Sequence, residues 1–318
     1  MKNRVLYFPY IRIPKSTWLT QMLLYWDQVA SIVPYEFIQR PGKLGRYMRS
    51  LVEEELVFQV IPGQHIYEIS NFEGAFQGYL DDLGAEADRR RAQFAEGNTF
   101  EIHIEKMGGI GDALVHQKLA KYSRSSWYEV EADTATDFMS YLAIVLGQLP
   151  SVDSSPFTDE VAFLERFAHV GVAEDCVDQQ LQALRIQVLE RVLPVPSDPI
   201  EPTAIRAFKN KHAKLLDDFR RRVERELVAA AAINDDTLRQ RRLDIFFNES
   251  DASIEEIQAA MSGAGWETVK ASFKVLAAIP GASQVFGLVA ALLDASPERQ
   301  LTGPSRDFAY AAYARATF

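Results

Sequence analysis

Between positions 101 and 116 the chain carries Glu101, His103, Glu105, Lys106, Asp112 and His116. Strict alternation over 100–105 predicts a strand that places Glu101, His103 and Glu105 on one face. Asp112 and His116 are i, i+4 neighbours on a helix predicted over 112–121. Carboxylates and imidazoles converging across such a strand, turn and helix could bind a divalent metal or supply a general base. The plain alternative is a solvated strand side beside an exposed helix pair. A nuclease core of the restriction type is a poor match, because Glu105 and Lys106 are adjacent and face opposite ways.

The turn Gly108-Gly109-Ile110-Gly111-Asp112 follows the strand and precedes the helix, which is where backbone amides cradle phosphate. The dinucleotide pattern needs a further glycine where Leu114 stands, and the Gly-Lys-Ser/Thr ending of a P-loop is missing, so a simple turn is the competing reading. A second charged feature spans Arg206, Lys209, Lys211, Lys214, Arg220, Arg221, Arg222 and Arg225, eight cations facing Asp217, Asp218 and Glu224. Arg206, Lys209, Lys214, Arg221, Arg222 and Arg225 form a candidate basic face for a phosphate backbone. Without aromatic residues on that face, a solvated helix paired with acidic neighbours is the alternative. Positions 275–293 are nineteen residues without a charge, enough to consider a membrane-active segment, although Pro280-Gly281 breaks the run and favours two short packed helices. Finally, Arg12 and Asp27 lie within apolar, aromatic-rich segments and are expected to pair, with Tyr7, Tyr10 and Trp26 lining the same candidate pocket.

The elements that must position these groups divide near residue 150. Before it, 5–13 reads as a strand, Ser16 as the cap of a helix with a stripe through Trp18, Met22, Tyr25, Val29 and Ile32, and 32–34 as a strand end; together they have the size of a βαβ unit. A helix is predicted over 44–56, then a hairpin around Pro62-Gly63, then a polar stretch over 71–98 holding one helix or a loop. Trp127 opens a short strand, and Thr134 to Asp137 reads as a capping box ahead of a helix through Leu149. After the Ser/Pro-rich segment 151–156 helical periodicity dominates: one helix through Val177 and Val192, a proline connector over 194–202, one long stripe from Ile205 to Leu227, and a new helix capped at Ser253. The expected fold class is therefore α+β or α/β, with a mixed unit over 1–150 and a mainly helical unit over 151–318.

Composition limits the function. The 318 residues hold 34 Lys+Arg against 44 Asp+Glu, a net charge of −10, and are 47% hydrophobic and 25% charged. That balance disfavours bulk attraction to DNA or anionic lipid. A single cysteine, Cys176, excludes a disulfide scaffold and any cysteine-clustered metal site, and its acidic neighbours Glu174 and Asp175 disfavour thiolate chemistry. Arg4, Pro9, Arg12, Pro14 and Lys15 interrupt the first apolar run, so no export signal is read and a cytoplasmic setting is expected.

Leu6-Tyr7-Phe8-Pro9-Tyr10-Ile11, Trp18, Leu24-Tyr25-Trp26-Asp27 and Ile32-Val33-Pro34 resemble the opening signature of an uncharacterised bacterial domain-of-unknown-function family. Further similar pieces are Ile104-Glu105-Lys106, Trp127-Tyr128-Glu129-Val130 and Leu193-Pro194-Val195-Pro196. The resemblance implies a bacterial cytoplasmic protein and carries no catalytic residue with it. The absence of any complete catalytic motif makes an interaction or regulatory protein the leading expectation, working through protein partners or self-association, with a defence or mobile-element setting suggested by association. No cofactor is evident. A metal-dependent hydrolase or nuclease built on Glu101, His103, Glu105, Asp112 and His116, with a divalent metal, is the alternative; nucleic acid at the basic face and a membrane at 275–293 are the remaining partners considered.

Overall fold

Val5, Leu6, Tyr7 and Phe8 are fully buried, as a strand covered on both faces of a parallel sheet requires. They form and follow β1 (Arg4–Tyr7) in a computed structural model that describes residues 3–124, 126–160, 163, 176–196, 198–262 and 304–318. From β1 the chain runs through α1 (Thr17–Tyr25) to β2 (Gln28–Ile32), then α2 (Tyr35–Gln39), a 3-10 turn (Pro41–Leu44) and α3 (Arg46–Glu53) to β3 (Val57–Val60). Helices α4 (Pro62–His65), α5 (Phe72–Asp81) and α6 (Ala85–Ala95) lead to β4 (Thr99–His103), α7 (Ile104–Met107) and α8 (Ile110–His116). Next come β5 (Ala120–Tyr122), β6 (Trp127–Glu131), α9 (Ala132–Gly147) and β7 (Ser155–Phe157). The C-terminal region is helical: α10 (Cys176–Val192), α11 (Pro202–Lys211), α12 (Ala213–Ala231), α13 (Asp236–Ser262), a 3-10 turn (Pro304–Phe308) and α14 (Ala309–Thr317). The fold is thus mixed α/β followed by helices. By internal contacts the chain forms two units, Met1–Pro14 with Trp26–Glu174, and Lys15–Tyr25 with Asp175–Phe318.

The first unit holds two sheets. One is parallel in the order β3-β2-β1-β7, with Leu6 opposite Ala30 on one side and Pro156 on the other. The other is antiparallel in the order β4-β6-β5. Helix α9 packs against β1 and β7 of the first sheet and β4 and β6 of the second, and every position but Asp133 is buried. The Glu131 carboxylate caps it, accepting from the Asp133 and Thr134 amides. Asp137 on its buried face is matched from outside: Arg90 on α6 donates to it at 2.7 Å, and Tyr79 on α5 donates to the same carboxylate at 2.8 Å.

In the second unit, Ser16 caps α1 by accepting from the Leu19 amide at 3.1 Å, and Arg220 on α12 donates to the Tyr25 carbonyl at the helix's other end. Phe208, Phe219 and Tyr310 form a ring cluster in its core, with centroids 5.3 Å and 6.0 Å apart along the chain of contacts.

Several expected elements differ. The stripe from Trp18 to Ile32 is helical only to Tyr25, because Val29 and Ile32 are held in β2 between β1 and β3, and pairing on both edges overrides a local period. The hairpin at Pro62-Gly63 is absent: β3 pairs in parallel with β2, and Pro62 opens α4, where its missing amide proton costs nothing. Residues 71–98 hold two helices, α5 and α6, in place of one. The strand over 100–105 ends at His103, and the strand over 5–13 ends at Tyr7. Helix α9 begins before Thr134, and α13 runs through Ser253, so neither residue caps a helix. The Ile205–Leu227 stripe breaks at His212, whose ring stacks on Tyr313 at 5.0 Å. Residues 275–293 lie outside the described residues. Among the described residues no helix is long and apolar enough to cross a membrane.

The Arg90–Asp137 pair gives a stability test, since both side chains are essentially without solvent contact. Arg90→Met is expected to lower the unfolding free energy by about 3–5 kcal/mol by leaving the buried carboxylate without its guanidinium, and adding Asp137→Leu is expected to restore most of it. Urea titration of the two variants measures both effects.

Candidate functional site

In the parallel sheet the chain steps outward from β1 to β2 and β3, then returns to set β7 on the other side of β1. Such a reversal splays the connections leaving the carboxyl ends of the two neighbouring strands, and a crevice opens there. A cavity of about 630 Å3 occurs at this end. The segment after β1 gives it Pro9, Tyr10, Ile11 and Arg12; the segment after β2 gives Glu36, Phe37 and Lys43. The second sheet adds Phe100, Glu101, Ile102, His103, Arg124 and Trp127, α7 adds Lys106, and Ala135 and Met139 of α9 line it with Phe163.

Lys106 is only 3% exposed, and its Nζ donates to the Pro9 carbonyl at 3.2 Å. No carboxylate among the described residues stands within ion-pair distance of it, and burial pushes its amine down to about 7. His103 is equally buried, its ring set edge-on to Trp127 at 5.1 Å and to Phe37 at 6.4 Å. Its Nδ1 accepts from the Glu105 amide at 3.3 Å, which puts the proton of the neutral ring on Nε2. That nitrogen stands 3.5 Å from Glu36 Oε1 without forming a hydrogen bond. Burial lowers the imidazole's pKa, against the opposing pull of Glu105 and Glu36. The remaining charges are organised in pairs. Lys43 meets Glu36 at 3.2 Å, Arg12 donates from Nε and Nη2 to the Lys43 carbonyl, and Arg124 grips Glu101 and holds its carboxyl below the usual range. Arg12, Lys43 and Arg124 thus line the cavity as cations against two carboxylates, with the Lys106 amine beside them.

Of the six charged candidates, Glu101, His103 and Lys106 come together on this cavity. Glu105 turns away to accept from the Tyr35 amide at 2.7 Å, at the start of α2. Asp112 is on α8, where it accepts from Tyr122 at 2.5 Å and Tyr128 at 2.7 Å, and His116 ends the same helix. Among the described residues no three His, Cys, Asp or Glu side chains are grouped to hold a metal ion. The glycine turn is closed to an external anion at Gly109, whose amide donates to Glu73 at 2.7 Å. Gly111 serves packing, since a Cβ there would run into the Tyr128 ring.

Of the candidate pocket residues, Tyr10 and Arg12 line the cavity, while Tyr7 is not among its lining and donates to Asp159 at 3.2 Å. Trp26 and Asp27 precede β2 and so stand at the opposite, amino end of the sheet; the Arg12 guanidinium is on Lys43, not on Asp27. The basic candidates do not make one face. Lys209 is buried, Arg221 pairs with Asp218, Arg222 bridges Glu226 and Glu249, Arg206 is half-buried, and Lys214 and Arg225 are exposed. Sequence reasoning passed over Glu36, Phe37, Lys43, Arg124 and Trp127 as site residues. They come from the segment after β2 and from the β5–β6 end of the second sheet, which the fold brings together.

No family model matches the chain, no curated protein matches it, and no solved structure matches it.

Lys106 makes the site's electrostatics testable. Its amine titrates near 7 when folded and at 10.5 by its ordinary value, so between these the unfolded chain binds the extra proton. The group therefore opposes folding most below neutral pH, and the opposition fades as pH rises toward 10.5. Lys106→Met is expected to raise the unfolding free energy at neutral pH by on the order of a few kcal/mol, with a gain that shrinks through alkaline pH. Urea melts of both proteins across that range measure it.

Proposed function

We propose that the protein binds a small anionic, ring-bearing molecule in the cavity at the carboxyl end of β1. The observation that carries this reading is the excess of cations over carboxylates around a cavity walled by Tyr10, Phe37, Phe100 and Trp127. A volume of about 630 Å3 falls within the range of small-molecule sites, which combine an apolar wall with a few converging polar groups. The cations select charge, the ring faces and edges select a planar group, and His103 Nε2 is a buried donor without a hydrogen-bond acceptor among the described residues. The regulatory role expected from the sequence fits the same reading, with the bound molecule as the signal.

Titration calorimetry with benzoate and AMP, each against its uncharged partner benzamide or adenosine, tests it. At least one anion is expected to bind with tenfold or greater preference over its neutral partner. Arg12→Ala is expected to weaken that anion by about tenfold, the worth of a charge-assisted hydrogen bond. Equal binding of charged and uncharged partners, or none of either, would refute the reading.

A further inference from the structure

We infer that Lys106 is a nucleophilic amine that forms an imine with the carbonyl group of a small anionic aldehyde or ketone held in the cavity; the inference rests on the anion-binding reading above. Most buried lysines are held as ammonium ions by a carboxylate, and Lys106 is not. Its Nζ has one hydrogen-bond partner among the described residues, the Pro9 carbonyl, and Pro9 and Lys106 both line the cavity. A neutral amine satisfies that carbonyl with one N–H and keeps its lone pair free, whereas an ammonium has none. The desolvated setting that pushes the amine down to about 7 leaves a large unprotonated fraction at neutral pH.

A hydrogen-bond donor lies in the same wall. His103 Nε2 carries the ring proton, has no hydrogen-bond partner among the described residues, and stands 3.5 Å from Glu36 Oε1. The Lys106 lone pair forms the C–N bond while the carbonyl π pair moves to oxygen, which accepts a hydrogen bond from His103 Nε2, and one amine proton passes to that oxygen to give a carbinolamine. The nitrogen lone pair then expels the hydroxyl, which takes the second amine proton through solvent and leaves as water, while His103 keeps its own proton. Both amine hydrogens end in the water, and no oxidant or reductant is consumed. Arg12, Lys43 and Arg124 remain to hold the ligand's anionic group.

The test uses 4-formylbenzoate, which differs from benzoate by the reacting carbonyl alone. The full chain is incubated with it and sodium cyanoborohydride in mildly alkaline buffer, and the reduced adducts are mapped by peptide mass spectrometry. Lys106 is expected to be labelled at least tenfold ahead of the exposed Lys15, Lys121 and Lys214, and added benzoate is expected to suppress labelling at Lys106 while leaving those three unchanged. Labelling of Lys106 no greater than theirs, with benzoate still bound by calorimetry, overturns the imine and leaves anion binding standing. Loss of both benzoate binding and Lys106 labelling overturns the two together.

Discussion

Helix α9 is buried at all but one of its sixteen positions, and that burial dictates what surrounds the first unit's core. A helix without a solvent face must be covered on every side, and here a parallel sheet and an antiparallel sheet share the task. Thr134 and Asp137 interrupt its apolar surface, so partners must meet them at fixed points. Arg90 and Tyr79 reach Asp137 from α6 and α5, and Glu131 closes the first turn. These bonds add little net stability beyond an apolar replacement, but they fix the rotation of α9 between the sheets, and a turned helix would strand a carboxylate. The same rotation delivers Ala135 and Met139 to the cavity, where a small and a flexible side chain leave its volume open.

The cavity holds two polar groups at odds with their burial. Arg90 is buried with a carboxylate, whereas Lys106 is buried with none among the described residues. The hydroxyls of Tyr79 and Tyr141 find acceptors, whereas among the described residues His103 Nε2 does not, a state it shares in this unit with Arg4 Nε, Gln59 Nε2 and the Ser140 hydroxyl. Each departure costs folding free energy, and both lie on one concave surface at the strand reversal. Departures from local consistency that cluster in this way mark sites where stability has been given up for chemistry.

What could be read from the chain follows from where the information is stored. The mixed unit followed by helices was legible, because β-branched and aromatic runs at 5–8 and 127–131 and helical stripes after 176 are local signals. The strand nature of Gln28–Ile32 was not: its residues continue the helical spacing of Trp18, Met22 and Tyr25, and only β1 and β3 on either edge decide the matter. The charged cluster at 101–116 was legible as a set of residue types, and half of it is at the cavity. Its partition depends on Tyr35, Tyr122 and Tyr128, which claim Glu105 and Asp112 from distant or neighbouring segments. Lys106 was legible only as a member of that cluster; its role as a buried amine was not, because desolvation is a property of the packed state alone.

The charge of the cavity and the amine within it make opposing demands, and their resolution orders the site. The net −10 of the chain is spread over its surface, and at physiological salt, charges beyond about 8 Å are largely screened, so the lining cations govern what enters. An anion seated directly against Lys106 would stabilise its ammonium form and draw its pKa upward, which removes the lone pair. An anion seated on Arg12, Lys43 and Arg124, away from Lys106, does not draw the amine's pKa upward in this way. A ligand with its anionic group on those three and its carbonyl at Lys106 satisfies both demands. A ligand too short to separate them would bind as a salt and stop there, so distance along the ligand becomes the selecting property.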